Sequence, residues 1–422
     1  MKDMKTTLGP KLRFPEFRGG GGWELKQLGD FLTESRLPGS KGDVAKKITV
    51  KLWGNGVFEK NEAIQGSVNT QYFQRKAGQF IYSKLDFLNQ AFGILPASLN
   101  HFESTVDLPC FDIAEGLNSG FLLEYVKRKD FYERVGEAAD GSRKARRIHA
   151  ETFLSFSMGL PIPAEQQKIT DCLSSLDELI AAQARKVDVL KTHKKGLMQQ
   201  LFPREGETQP RLRFTEFRDA GEWEQIELGE KIELLSGYPF DGPDISQDSS
   251  GIPLLRGINV TEGRIRHNPE IDRYYTGSTE GLEKFRLQVN DLVIGMDGSK
   301  VGKNSALVSG VDAGALLIQR VARLRAKKAS LIQFIFQRIH SPSFHAYVDR
   351  INTSSGIPHI SAKQIKEFCI CFPSEDEQKR IADCLTSLDN LITAATQELE
   401  TLKTHKKGLM QQLFPSAEAV EA

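Results

Sequence analysis

The chain has 422 residues, a formal net charge of +1 and 39% hydrophobic residues. This length allows about two or three domains with cores of their own, and the composition is that of a globular protein. No apolar run reaches about 18 residues and the first residues lack a signal-peptide pattern, so the sequence predicts neither a membrane-spanning nor a secreted protein. Because the net charge is close to zero, any nucleic-acid contact must come from local basic patches.

An internal duplication begins within the N-terminal segment, residues 1–22. Residues 10–32 read PKLRFPEFRGGGGWELKQLGDFL, and residues 210–232 read PRLRFTEFRDAGEWEQIELGEKI. A second repeated segment ends at Pro203 and again at Pro415, and its last fourteen residues are identical in the two copies. Such repeats predict two copies of one scaffold. The stretches between them align only faintly, at an offset of 212, so the scaffold is expected to carry two different surfaces.

The first variable stretch, residues 23–162, is predicted to be a globular module with one basic cluster. Five residues near its end form this cluster: Ser142, Arg143, Lys144, Arg146 and Arg147. Closely spaced cations suit contacts with DNA phosphates, which supply affinity without sequence choice. A solvated basic loop is the alternative interpretation.

Two long helices are predicted, over 163–203 and over 375–415, each bounded by prolines. Their apolar positions alternate in steps of four and three, which is the period of a coiled-coil seam. The seam of the first helix consists of Ile169, Leu173, Leu176, Ile180, Val187, Leu190, Leu197 and Leu201. The seam of the second consists of Ile381, Leu385, Leu388, Ile392, Leu399, Leu402, Leu409 and Leu413.

Two matched stripes in one chain can cover each other, and the short connections favour an antiparallel pair. Lys194 and Lys406 fall on seam positions, where a polar side chain often fixes the register. Cys172, Leu179, Cys384 and Leu391 widen the apolar face, which suggests that partner helices also pack there. A coiled coil between two copies of the chain is the alternative.

After a linker, residues 204–222, the second variable module covers residues 223–374. Three stretches of it combine basic and amide side chains suited to base edges or phosphates: Arg256, Asn259, Arg264 and Arg266; the glycine-punctuated Ser299, Lys300, Lys303 and Asn304; and Ser354, Ser355, His359 and Lys363. Arginine and lysine can pair with guanine and asparagine with adenine in the major groove. These residue types therefore permit sequence readout. Residues 416–422 are predicted to be a frayed acidic tail.

The sequence contains no catalytic constellation. The stretch Gly298–Asn304 departs from the spacing of a phosphate-binding loop, and the amino-methyltransferase signature is missing. Five cysteines lack metal-ligand spacing, and Cys369 and Cys371 are predicted to be buried thiols on a strand in a reducing cytoplasm. We therefore expect no catalytic residue and no metal site.

The order of module, helix, module and helix resembles the specificity subunit of type I restriction-modification enzymes. The similar features are the P-x-x-x-E-Q segments at Pro161 and Pro373, the D-C-L-x-S-L-D helix starts and the KKGLMQQLFP helix ends. The second module also carries GIPLLRGINV, NDLVIGMDGSKVGKNSALV and SSGIPHISAKQIKEFCICFP in that order. The resemblance covers essentially the whole chain.

The resemblance implies an α+β fold with two globular target-recognition domains separated by a long antiparallel two-helix coiled coil, related by a pseudo-twofold repeat. Each domain would read half of a bipartite double-stranded DNA site. The helices would dock two methyltransferase subunits and, indirectly, restriction subunits. This chain would be a non-catalytic, cytoplasmic, nucleoid-associated protein without cofactors, while its partners use S-adenosylmethionine, ATP and Mg²⁺. A scaffold that ignores DNA and a self-contained methyltransferase are the alternative functions.

Overall fold

A computed structural model describes residues 8–61, 66–137, 147–352 and 357–416. The chain divides into two compact units. Unit 1 comprises Met1–Ala184 and Gln397–Ala422, and unit 2 comprises Arg185–Thr396. Each long helix therefore contributes its first half to one unit and its second half to the other.

Unit 1 is an α+β module with the adjoining helix segments. Its strands are β1 Glu24–Gln27, β2 Leu32–Glu34, β3 Pro38–Lys41, β4 Ile48–Val50, β5 Val57–Glu59, β6 Gln71–Gln74, β7 Phe80–Tyr82, β8 Phe92–Ile94, β9 Glu103–Ser104, β10 Cys110–Ile113 and β11 Ser157–Leu160. Its helices are α1 Ser119–Val126, α2 Lys129–Glu137 and α3 Ala150–Leu154, and they are followed by the first long helix, α4 Pro163–Leu201. Asn118 caps α1 by accepting a hydrogen bond from Phe121 N.

Unit 2 repeats this plan. Its strands are β12 Glu224–Glu227, β13 Ile232–Ser236, β14 Ile245–Ser246, β15 Ile252–Leu255, β16 Val260–Thr261, β17 Arg264–Ile265, β18 Tyr274–Tyr275, β19 Leu292–Gly295, β20 Ser305–Leu307, β21 Leu316–Leu317, β22 Val321–Ala326 and β23 Cys369–Phe372. Its helices are α5 Leu228–Lys231, α6 Ile332–Ile339, α7 Pro342–Ile351 and α8 Ala362–Glu367, and the second long helix is α9 Glu375–Leu413.

The main sheets of the two units correspond strand for strand, whereas the additional sheet has three strands in unit 1, β3-β6-β9, and four in unit 2, β14-β18-β15-β21. Unit 1 has a four-stranded sheet in the order β2-β10-β7-β8, and unit 2 has one in the order β13-β22-β19-β20. A two-stranded ribbon accompanies each, β1 with β11 and β12 with β23. The faint alignment at an offset of 212 thus marks equivalent strands, since β7 and β19 occupy the same place in the two sheets. The predicted internal repeat is confirmed.

An ion pair ties each repeated N-terminal segment to the start of a long helix. Arg13 donates to both carboxylate oxygens of Glu165 at 2.8 and 2.7 Å, and Arg213 donates to Glu377 at the same two distances. The next residue also repeats its contact, because Gln166 donates to Pro161 O at 2.9 Å and Gln378 to Pro373 O at 2.7 Å. The P-x-x-x-E-Q segments are therefore structural joints of the scaffold.

The two long helices pack together, and within each unit their segments run antiparallel. In unit 1, Lys406 Nζ lies 2.6 Å from Asp177 Oδ2. In unit 2, Lys194 Nζ lies 2.6 Å from Asp389 Oδ1, at the equivalent position of the repeat. Both lysines are mostly buried, and each forms an ion pair across the seam that fixes the register of the helices. Lys406 Nζ also lies 3.0 Å from Glu124 Oε2 of α1.

The predicted seam residues all lie on the buried or half-buried side of the long helices. The intrachain pairing disfavours a coiled coil between two chains. The residues predicted to widen the apolar face behave differently, because Leu179 and Leu391 remain 54% and 55% exposed. Cys172 and Cys384 are half-buried. An apolar side chain is thus left uncovered at the same repeat position on each helix.

The prediction that Cys369 and Cys371 are buried thiols is wrong. Both lie on β23, as expected, but Cys369 is exposed and Cys371 is half-buried. Side chains alternate along a strand, and here Ile370 and Phe372 take the core face. Within the described residues, no helix is long and apolar enough to cross a membrane.

Candidate nucleic-acid interface

The glycine-punctuated stretch of unit 2 forms a tight loop after the buried strand β19. Gly298 and Gly302 have φ values of +91° and +70°, a region that favours glycine. A Cβ on Gly302 would lie 2.8 Å from Val348 Cγ2, so packing on α7 also requires glycine there. The loop presents Ser299 and Lys300 to solvent, while Lys303 and Asn304 are half-buried.

Two of the three predicted stretches meet at this loop. Asp297 forms an isolated antiparallel bridge with His359, and Gly298 N donates to Pro358 O at 3.1 Å. His359 is exposed beside the loop. Ser354 and Ser355 lie outside the described residues. Lys363 lies on α8 instead, where it is 83% exposed and 3.6 Å from Glu367.

The remaining stretch reaches the same loop through the β16–β17 hairpin. Gly263 N at the hairpin tip donates to Ser305 O at 2.9 Å, one residue after Asn304. Arg264, next to the tip, is exposed. The hairpin and the glycine-punctuated loop therefore present Arg264, Ser299 and Lys300 on neighbouring segments.

The other members of that stretch take part in the fold around the hairpin. Asn259 is 1% exposed, and its side chain accepts from Arg256 N and donates to Asp272 Oδ1 and Arg266 O. Arg256 donates to Ile271 O at 3.0 Å and is half-buried. Arg266 is exposed and donates to Ile258 O at 3.0 Å. In the isolated chain Asn259 thus acts as the hydrogen-bonding centre of this turn.

A cleft of about 860 Å³ opens beside the hairpin. Its lining includes Arg264, exposed Lys191 and Lys195 of α4, and two histidines, His340 and His345. Burial lowers the pKa of His340 to about 4 and also lowers the pKa of His345. Both histidines are therefore neutral near pH 7, and positive charge in the cleft comes from lysine and arginine.

His267 links the turn around Asn259 to the loop before β21. Its Nε2 lies 2.8 Å from Asp312 Oδ1 and its Nδ1 lies 3.4 Å from Asp272 Oδ1. The hydrogen bond with Asp312 raises the pKa of His267, and the nearby charge of Asp272 raises it further. When the imidazole is protonated, it bridges two carboxylates.

This bridge predicts a pH-dependent stability of unit 2. Because the folded-state pKa is raised, the stabilisation is fully present below the ordinary value of 6.5 and disappears as pH rises through the raised pKa. Thermal unfolding between about pH 5.5 and about pH 8.5 should show a difference between the parent and His267→Gln that shrinks toward high pH. His359→Gln, which changes an exposed histidine, serves as the control. A difference that stays constant over this range contradicts the prediction.

Of the basic cluster predicted in unit 1, one residue, Arg147, lies within the described part of the chain. Arg147 is 47% exposed, and its Nη1 lies 3.0 Å from Asp107 Oδ1. Ser142, Arg143, Lys144 and Arg146 lie outside the described residues, so their role as phosphate contacts stays a prediction.

Arg320 also lies at this interface, although no pattern in the sequence singled it out. Arg320 has a φ of +73°, which non-glycine residues rarely adopt, and its Nη1 lies 3.1 Å from Asp297 Oδ2. Its backbone oxygen accepts from Met296 N at 2.9 Å, and the side chain is 66% exposed. The turn that precedes β22 therefore holds a guanidinium beside the glycine-punctuated loop. Among the described residues, no group of three histidine, cysteine or acidic side chains is arranged to hold a metal ion.

Comparisons with known proteins show which proteins this chain is similar to. Residues 221–404 match a family model described as Type I restriction modification DNA specificity domain. The chain is 24% identical over 426 residues to the Type I restriction enzyme MjaVIII specificity subunit of Methanocaldococcus jannaschii, which covers 96% of this chain and 93% of that protein. It is 29% identical over 189 residues to the EcoAI specificity subunit of Escherichia coli, which covers 44% of this chain and 31% of that one.

Two solved structures share the fold. The type I restriction-modification system S subunit from M. genitalium superposes with a TM-score of 0.59 at 14% identity, covering 97% of this chain and 100% of that one. A chain from a structural study of complex assembly and conformational transition of the type I R-M system gives 0.56 at 15% identity, covering 96% and 100%.

The second module and most of the second long helix thus match the DNA specificity domain of type I restriction-modification proteins, and the chain shares the fold of the two solved structures. The resemblance to the specificity subunits of these enzymes, predicted from the sequence, is confirmed along nearly the whole chain.

Proposed function

We propose that this chain selects the bipartite, asymmetric DNA sequence on which a type I restriction-modification complex acts, with each module reading one half. The observation that carries the proposal is the repeat. The two modules share the strand order of their main sheet and the same scaffold joints, yet their sequences differ at equivalent loops. This arrangement allows the recognised DNA sequence to change while the scaffold that assembles with the partner subunits stays the same.

In this proposal the long helices dock two methyltransferase subunits, and restriction subunits join indirectly. Support comes from Leu179 and Leu391, exposed leucines at equivalent positions of the two helices. Two equivalent apolar contacts suit two copies of one partner. The chain itself is non-catalytic and binds no cofactor, whereas the partners use S-adenosylmethionine, ATP and Mg²⁺.

Within unit 2, the DNA contact is proposed at Arg264, Ser299, Lys300 and the neighbouring side chains of the glycine-punctuated loop. Lysine and arginine contacts with phosphates add affinity on any sequence, whereas contacts with base edges discriminate between sequences. The two kinds of contact are therefore distinguishable by experiment.

Methylation-sensitive long-read sequencing tests the proposal. Cells carry the methyltransferase partner alone, with this chain, or with a Lys300→Ala/Arg264→Ala variant. We expect adenine methylation at a split motif only with the chain, and relaxed or weakened methylation of one half-site with the variant. Lys363→Ala, on α8, is the matched control. If the chain assembles with the partner but methylation stays absent, a scaffold that ignores DNA is the better interpretation.

A further inference from the structure

The hairpin of β4 and β5 in unit 1 carries an exposed tryptophan at its tip. Trp53 is 63% exposed, and its neighbours Leu52 and Phe58 are 40% and 43% exposed. Burying a tryptophan in a fold is strongly favourable, so leaving one in solvent calls for a reason. The other two tryptophans, Trp23 and Trp223, are 4% and 2% exposed in the cores of the two units.

Trp53 is held in an unusual backbone conformation. Its φ is +60°, in the left-handed region that a bulky L-residue rarely adopts. Two backbone hydrogen bonds fix the tip, from Trp53 N to Asn89 O at 2.7 Å and from Gly54 N to Gln90 O at 2.9 Å. Gln90 is itself left-handed, with a φ of +54°. Strained residues fixed by their surroundings concentrate at binding sites, and here the strain presents an indole to solvent.

The equivalent hairpin in unit 2, formed by β16 and β17, is part of the candidate DNA interface. Ile48 of β4 and Val260 of β16 are separated by the repeat offset of 212, and each begins a two-stranded antiparallel hairpin. The hairpin tip in unit 1 donates backbone hydrogen bonds to Asn89 and Gln90, just before β8. The tip in unit 2 donates one to Ser305, the first residue of the equivalent strand β20. In unit 2 the tip carries Arg264 beside the glycine-punctuated loop. In unit 1 the loop is longer, residues 51–56, and it carries Trp53.

The segment that carries Trp53 is rich in lysine. Residues 46–60 read KKITVKLWGNGVFEK, with four lysines and one glutamate; Lys47 is buried, whereas Lys46, Lys51 and Lys60 are exposed. Lys51 Nζ lies 4.1 Å from the centre of the Phe58 ring. An exposed aromatic side chain near cations suits a nucleic acid, because in a duplex the indole can insert between two base pairs and stack on them while lysines approach phosphates.

We propose that Trp53 is a DNA-contacting residue of unit 1, whose indole inserts and stacks between two base pairs of the half-site that this module reads. This inference rests on the proposed DNA-reading function and adds the residue and the mode of contact. The hydrogen-bonded tip holds the backbone of Trp53 in place before DNA binds, so little backbone ordering is needed on binding.

Tryptophan emission of the full chain, bound to its methyltransferase partner, provides the test. The difference in emission between the parent complex and the Trp53→Phe complex isolates the signal of Trp53 from that of buried Trp23 and Trp223 and of any tryptophan in the partner. Addition of duplex DNA with the cognate split site should quench this emission and shield the residual signal from acrylamide. The change should be absent in Trp53→Phe. Trp53→Ala should weaken binding about tenfold or more, and Trp53→Phe should restore most of it.

The outcomes separate the two proposals. DNA binding that leaves the accessible emission unchanged overturns the role of Trp53 and leaves the proposed function standing. Absence of DNA binding overturns both. Shielding of Trp53 by the methyltransferase before DNA is added assigns the residue to a protein interface and overturns the stacking contact. Unchanged assembly with the methyltransferase partner and an unchanged midpoint of thermal unfolding verify that the Ala variant is folded.

Discussion

Replacement of Arg213 by methionine is expected to destabilise unit 2 by about 3–5 kcal/mol. Glu377 is fully buried, and both of its carboxylate oxygens accept hydrogen bonds from Arg213, at 2.8 and 2.7 Å. The variant leaves a buried carboxylate without its cation, which costs far more than the pair itself contributes. Urea denaturation of the full chain, followed by tryptophan emission, measures the change.

A matched control is available in the same unit. Arg350 pairs with Glu205 at 2.9 Å, but the two side chains are 60% and 76% exposed, so Arg350→Met should cost less than about 1 kcal/mol. Arg213→Lys should be intermediate, because lysine keeps the charge and loses the bidentate geometry. The double variant Arg213→Met/Glu377→Met should recover part of the loss. Equal losses for Arg213→Met and Arg350→Met would contradict the role of burial.

The scaffold could be predicted from the sequence because its signals are local or repeated. The apolar steps of four and three identify the two long helices, and the duplicated segments identify two equivalent modules. The pairing of Arg13 with Glu165 could not be predicted in the same way. These residues lie 152 positions apart, and only the tertiary fold brings them together. Both residues recur in the second copy of the repeat, and this recurrence is a sequence feature that marks them as a pair.

The candidate interface was predicted by residue type and not by geometry. Residue type suggests that arginine, lysine and asparagine can contact bases, yet Asn259 is buried in the turn that it organises, while Lys300 is exposed. Arg320 and Trp53 depend on positive φ values that no local pattern in the sequence indicates. Burial and backbone strain follow from packing between distant segments, so they emerge only in the folded chain.

Insertion of seven residues into each long helix, after Ala184 in α4 and after Thr396 in α9, is expected to lengthen the gap between the two half-sites. The positions lie at the boundary of the units, so the register contacts Lys194–Asp389 and Lys406–Asp177 are preserved. Seven residues keep the period of the seam and add about 10 Å of helix, which corresponds to about three base pairs. Methylation sequencing reads the new motif directly.

The insertion separates spacing from recognition. Since neither module changes, both half-sequences should be retained while the gap between them grows. The same seven residues placed in α4 alone should instead displace one helix against the other, break a register ion pair and abolish methylation. A matched double insertion that methylates the parental motif with its original gap would show that the helices do not set the spacing. The gap would then have to be fixed by the partner subunits, and the helices would serve for docking alone.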